Sequence, residues 1–263
     1  MKKLLLPLIL CLLATSSWSQ ADVRKIKTIP CSIEPIERAK IHPLDSYSAA
    51  PSISSNWSGY ATTSTNKTVT QASGNWIVPT LKATPNSSYC AIWVGIDGYS
   101  SRTVEQIGTS HNWINGKVQH SAWFEMFPDG AYQIVGFPLT SGDTISAKVT
   151  YIGSNTFQLN IVNLTQKVSA VIPRRYTRSA TALRNSAEWI VEAPFYKKVL
   201  PLADFQSAFL TNCSAIIRGR KGSITAFGSA SHEIIMQAGD QEKASPLHLS
   251  SNGSSFEVAW LSE

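Results

Sequence analysis

One rhythm constrains this chain more than any other feature. From Ser52 onward, short runs alternate apolar and polar residues, and turn dipeptides interrupt them. The runs are Asn75–Val78, Ala91–Ile96, His120–Phe127, Thr144–Ile152, Phe157–Leu164, Ala187–Glu192, Ser223–Phe227, Glu233–Gln237 and Phe256–Leu261. They are rich in Val, Ile, Thr, Phe and Trp. A period of two puts alternate side chains on opposite faces of a strand, whereas a helix needs a period of 3.6. Asp97-Gly98, Asn115-Gly116, Asp129-Gly130, Ser141-Gly142 and Asn252-Gly253 supply the turns. Only Pro201–Leu210 reads as a helical turn. Many short strands at regular spacing predict an all-β fold, an antiparallel β-sandwich, over residues 52–263 as one domain.

The residues before this domain have a different character. Lys2 and Lys3 precede the apolar run Leu4 to Ala14, and small or polar residues follow up to Ala21. This is the pattern of a secretory signal peptide over residues 1–21. The run falls short of the roughly 20 apolar residues of a membrane span, so the processed chain is expected off the membrane. The expected location is extracellular, or periplasmic in a Gram-negative host. Residues 22–51 carry mixed charges and Pro30, Pro35, Pro43 and Pro51, and read as a propeptide or linker. Signal cleavage leaves Cys31, Cys90 and Cys213; if the next segment also goes, Cys90 and Cys213 are either a disulfide or two buried thiols.

Charge excludes several functions. The chain has 15% charged residues and a net charge of +6, where a typical soluble domain is about 25% charged. Its basic clusters, Arg174/Arg175/Arg178 and Arg218/Arg220/Lys221, read as solvated loops, and no nucleic-acid-binding module accompanies them. Familiar hydrolase motifs are absent: there is no G-x-S-x-G elbow, and His232-Glu233 lacks the second histidine of H-E-x-x-H. The five histidines lack metal-ligand spacing, so neither metal nor cofactor is expected.

Strand alternation is more telling. Trp123, Glu125 and Phe127 share one face of their run; Glu188, Ile190 and Glu192 share one face of theirs. Acids and amides interleaved with large rings describe the wall of a groove. From these residues alone, a carbohydrate-binding module using some of the eight tryptophans stays open. A glycoside hydrolase fits less well. Glu188 and Glu192 lie about 13 Å apart along a strand, beyond the roughly 5–9.5 Å that paired catalytic carboxyls require.

Six segments then carry a resemblance: Ser54–Ala61 (SSNWSGYA), Trp76–Pro79 (WIVP), Trp93–Gly98 (WVGIDG), Glu105–Gly108 (EQIG), Trp123–Asp129 (WFEMFPD) and Ala187–Pro194 (AEWIVEAP). In this order and spacing the chain resembles the eqolisins, a family of glutamic endopeptidases. The resemblance implies a sandwich of two large antiparallel sheets of concanavalin A-like form, and synthesis with a signal and a propeptide. It implies a catalytic Gln at Gln106 and a catalytic Glu at Glu188. It also implies supporting roles for Trp123, Glu125, Asp129 and Asp97, with Glu192 beside them. The basic charge of this chain (pI ≈ 9.1) departs from the acidic members of that family.

The implied chemistry suits those residue types. A glutamate can take a proton from water and return it to a leaving amine. A glutamine amide, neutral at every pH, can donate to a developing oxyanion. The expected function is a secreted, monomeric endopeptidase acting on polypeptides, with Gln106 and Glu188 facing each other across one water in a site open to solvent.

Overall fold

The structure, a computed structural model, describes residues 26–31, 51–176 and 180–263. The signal segment and most of residues 22–51 lie outside the described residues, as does Arg178.

In chain order the strands are β1 (Thr28–Pro30), β2 (Ser52–Ser54), β3 (Trp57–Thr63), β4 (Val69–Ile77), β5 (Ser88–Ile96), β6 (Val104–Ile114), β7 (Lys117–Phe127), β8 (Ala131–Ile134), β9 (Thr144–Gly153), β10 (Thr156–Asn163), β11 (Val168–Arg175), β12 (Ser186–Glu192), β13 (Phe195–Tyr196), β14 (Lys198–Val199), β15 (Ser207–Ile217), β16 (Arg220–Gly222), β17 (Ser231–Ala238), β18 (Gln241–Pro246) and β19 (Phe256–Trp260). One ladder runs β1-β8-β7-β6-β5-β12-β3-β17 and continues β18-β19-β15-β4-β9-β10-β11. The second half folds back over the first, so that β4 packs on β5 and β12. The expected two-layer sandwich is therefore present, its layers joined along one side by the β17–β18 hairpin. Most pairings are antiparallel; β2 lies parallel to β17.

The two layers bury a shared core. Trp189 and Val191 of β12 point into it, and so do Ile92, Val94 and Ile107; Trp76, Ile145, Val149 and Leu159 meet them from the other layer. Each such side chain contributes about 1.5–3 kcal/mol on burial. The ring N–H groups are satisfied there: Trp189 Nε1 donates to the Ser73 carbonyl (2.8 Å) and Trp76 Nε1 to the Thr109 hydroxyl (2.8 Å).

The β6–β7 register decides which way Gln106 points. Asn115 and Gly116 have φ of 51° and 75° and form the two-residue turn between Ile114 and Lys117. A left-handed pair of this kind matches the twist of a hairpin and fixes its register. A slip of one residue would move Gln106 to the opposite face.

Two expectations, a helical turn over Pro201–Leu210 and a strand over Ser223–Phe227, are corrected. Pro201–Leu210 is not helical: Leu202 bridges Tyr89, and β15 begins at Ser207. Its apolar residues fill the core edge, while Ala208 and Leu210 point in and Phe209 points out. Ser223–Phe227 is not a strand: Ser223 precedes a 3-10 segment, Ile224–Ala230, that takes in the rest of the run. Part of the presumed linker is ordered as β1, which pairs with β8. Cys31, Cys90 and Cys213 are free thiols, the last two fully buried. Of the basic clusters, Arg174 lies over the rings of Phe124 and Tyr132, at 5.2 and 5.1 Å.

Candidate active site

Register pairing determines which side chains meet. Directly opposed residues on neighbouring strands project from the same face. Glu125 of β7 opposes Gln106 of β6, which opposes Gly95 of β5. Gly95 opposes Glu188 of β12, Glu188 opposes Ala61 of β3, and Ala61 opposes His232 of β17. Glu125, Gln106, Gly95, Glu188, Ala61 and His232 thus form one row across the layer, on the face turned away from the shared core. Gln106 and Glu188 are two strand spacings apart, about 10 Å between backbones. Gly95, with no side chain, lies between them. Gly95 therefore leaves a gap in the row between the two side chains.

The next rows build the walls. Trp123, Trp93 and Ile190 lie two residues along from Glu125, Gly95 and Glu188, and Trp57 opposes Glu192 one row further. These rings form a second apolar cluster with Ala61, Tyr99 and Val104, and Cys31 packs against it. Trp57 and Trp93 meet edge to face at 4.9 Å.

Hydrogen bonds orient the polar members. Gln106 Nε2 donates to Glu125 Oε2 at 2.6 Å, so Glu125 sets the direction of the amide. Glu188 Oε1 accepts the backbone N–H of Tyr99 at 3.3 Å. Gln106 Oε1, Glu125 Oε1 and Trp123 Nε1 are buried on this face without a hydrogen bond. Burial pushes the Glu125 carboxyl up to about 7, and the Gln106 donor pulls against that shift. Glu192 accepts from Trp93 Nε1 (2.7 Å) and Asn56 Nδ2 (3.2 Å). Burial and the charge of Glu125 push it up to about 8 despite the indole donor.

Asp97 acts from the turn after β5. Its carboxylate accepts the N–H groups of Arg184 (2.7 Å) and Asn185 (2.9 Å) and the hydroxyl of Thr103 (3.2 Å). It thereby ties that turn to the lead-in of β12, and so positions Glu188. Burial raises its pKa, and those donors offset part of the rise. Asp129 stands apart. It lies past the end of β7 beside Phe124, Met126, Tyr132 and Arg174, side chains of the opposite face.

The structure thus brings Gln106, Glu188, Trp123, Glu125 and Glu192 to one face, supports it with Asp97 and leaves Asp129 outside. Sequence reasoning did not place His232 in this row. It stacks on Tyr99 (4.8 Å between rings) and contacts the Thr63 hydroxyl through Nε2 at 3.1 Å. Alternation within the strand read at Glu233–Gln237, extended by one residue, would have put His232 on the face of Ile234. The expectation of an open site is also corrected: Gln106 is 2% and Glu188 0% exposed. β1 edges the same layer, and the Cys31 N–H donates to the Ala131 carbonyl (2.9 Å), in the row of Glu125.

Comparison with known proteins shows similarity in sequence and in fold. The chain is 28% identical to aspergillopepsin-2 of Aspergillus niger over 187 residues, spanning 63% of this chain and 66% of that protein. It is 28% identical to scytalidopepsin B of Scytalidium lignicola over 183 residues, spanning 65% of this chain and 67% of that one. Its fold matches scytalido-glutamic peptidase, solved with a transition state analog inhibitor, at a TM-score of 0.68 and 22% identity, covering 79% of this chain and 98% of that one. Aspergilloglutamic peptidase from Aspergillus niger matches at a TM-score of 0.60 and 24% identity, covering 66% of this chain and 99% of that one. The sequence model of the Peptidase A4 family matches residues 55–259, nearly the whole sandwich, and the chain therefore belongs to that peptidase family.

Proposed function

We propose that this protein is an exported, monomeric glutamic endopeptidase in which Glu188 and Gln106 carry the chemistry. The row that places the amide and the carboxyl on either side of Gly95 supports this reading above all else. Ionised Glu188 takes a proton from a water in the gap, and the hydroxide attacks the substrate carbonyl. Gln106 Nε2 donates to the resulting oxyanion while Glu125 holds the amide in place. Glu188 then gives its proton to the amide nitrogen, and the carbon–nitrogen bond breaks. One amine and one carboxylic acid leave, and the glutamate is regenerated. The residues ahead of Ser52 serve as signal and propeptide. The pairing of β1 with β8 and the burial of both catalytic groups support a latent precursor.

Digestion of casein or haemoglobin across the acid range tests the reading, with pepstatin, a metal chelator and a serine-protease inhibitor each added in turn. Activity is expected to survive all three. Glu188→Gln is expected to lower kcat about 10²–10⁴-fold, and Gln106→Ala about 10²–10³-fold. Full activity in Glu188→Gln would defeat the assignment.

A further inference from the structure

Glu105 takes no part in the hydrolysis itself, yet it is fully buried next to Gln106 in sequence and on the opposite face of β6. The Tyr176 hydroxyl, at the end of β11, contacts both Glu105 Oε1 and the Phe127 carbonyl, the latter at 3.1 Å. A phenol carries one proton and cannot serve two acceptors fully. The proton count closes if Glu105 is neutral. Its own proton then goes to the Tyr176 oxygen, and Tyr176 gives its proton to Phe127. An ionised Glu105 instead draws the phenolic proton to itself and leaves the Phe127 carbonyl without it.

Phe127 ends β7 and opposes Val104, so this contact closes the end of the hairpin that sets Gln106 against Glu125. We propose that Glu105 is a protonation-dependent positioning residue: neutral, it closes a Glu105–Tyr176–Phe127 chain that pins the ends of β6 and β7, and ionised, it releases the Gln106–Glu125 contact from its catalytic register. The groups that face Glu105 pull in two directions: the carboxyls of Asp97 and Glu188 favour the neutral form, and the hydroxyls of Thr103 and Tyr176 favour the ionised one. Burial raises its pKa well above the carboxylate range, the Asp97 charge adds to the rise, and the Tyr176 hydrogen bond opposes it. The consequence is a loss of activity with rising pH that is distinct from the protonation of Glu188 at low pH.

This inference rests on the peptidase reading, and the test separates the two. The pH dependence of kcat and KM is compared for the wild type, Glu105→Gln and Tyr176→Phe. Glutamine keeps a neutral donor at every pH. Glu105→Gln is expected to keep activity at acid pH and to move the alkaline limb of kcat upward by about one pH unit, or about tenfold more activity at a fixed pH on that limb. An unmoved limb overturns the latch while leaving Glu188 and Gln106 in place. Inactivity of the wild type, or full activity of Glu188→Gln, overturns the peptidase reading instead. Should Glu105→Gln not fold, Tyr176→Phe carries the test. A lower kcat at acid pH with unchanged KM is expected, and a wild-type kcat profile overturns the proposal.

Discussion

Gly95 sets the working distance of the site. A Cβ at that position would stand 3.0 Å from the Trp93 ring, 3.1 Å from the Glu105 carbonyl and 3.3 Å from the Gln106 Cβ. It would also project into the gap between the Gln106 and Glu188 side chains. Gly95→Ala is therefore expected to lower kcat/KM by about 100-fold, the cost of a misplacement near 1 Å, while calorimetry still records a cooperative melt. Undiminished turnover would show that the reacting atoms do not lie over Gly95. Of this row, the acid and the amide were legible in the sequence because their segments carry the family resemblance. Gly95 gave no signal as a spacer, since a glycine in a strand reads first as a weak point. Glu105 was visible only as one letter of a motif, because nothing in a sequence says which tyrosine a buried acid will meet.

At the scale of elements, β1 is the informative strand. Its backbone continues the layer of Gln106 and Glu188 beyond β8 through Cys31 N–H to the Ala131 carbonyl and Val135 N–H to the Lys27 carbonyl, each at 2.9 Å. Cys31 packs against the tryptophan-lined cluster, and burial with the charge of Glu125 pushes its thiol up to about 11. Cleaving the chain ahead of Ser52 is expected to raise activity, and a synthetic peptide spanning Ile26–Cys31 to inhibit the processed enzyme competitively. A scrambled peptide should have no effect; equal behaviour of the two, followed by initial rates, would remove β1 from any inhibitory role. The alternating runs announced most long strands, and a primed turn dipeptide announced the β6–β7 hairpin. β1 was illegible because Pro30 and its neighbours look like a linker, although proline is tolerated on an edge strand. The false helix at 201–210 has a similar origin: apolar residues at mixed spacing satisfied two periods until the ladder chose one.

At the scale of the whole molecule, buried acids outnumber buried bases among the described residues, and this sets the pH range of the fold. Asp97, Glu105, Glu125 and Glu192 all have raised pKa values, and burial is the first cause in each. Between the unfolded value, about 4.5 for Glu, and these higher folded values, the native chain binds more protons than the unfolded one. Stability is then complete at low pH and declines as pH rises. His111 and His120 act in the opposite sense. Burial lowers both, so unfolding takes up protons there as pH falls below about 6.5. Burial also raises Glu233 and lowers His232, and five carboxyls against three histidines predict a higher melting temperature near pH 5 than near pH 8, measured by calorimetry at constant ionic strength. The reverse order would mean that these carboxyls are ionised in the native fold. The sandwich itself was readable from periodicity, but the joining of its layers by β17 and β18 was not, because strand pairing is a long-range property.

β1 also caps the edge of β8. Its loss bares Ala131–Ile134, a stretch whose outer amides and carbonyls then have only solvent to bind, with Tyr132 among its side chains. A margin of that kind pairs with any extended chain that reaches it, including an identical molecule. Cleavage ahead of Ser52 would thus convert a guarded border into an adhesive one, and the shortened chain should then tend to stack rim to rim when concentrated without a guest strand.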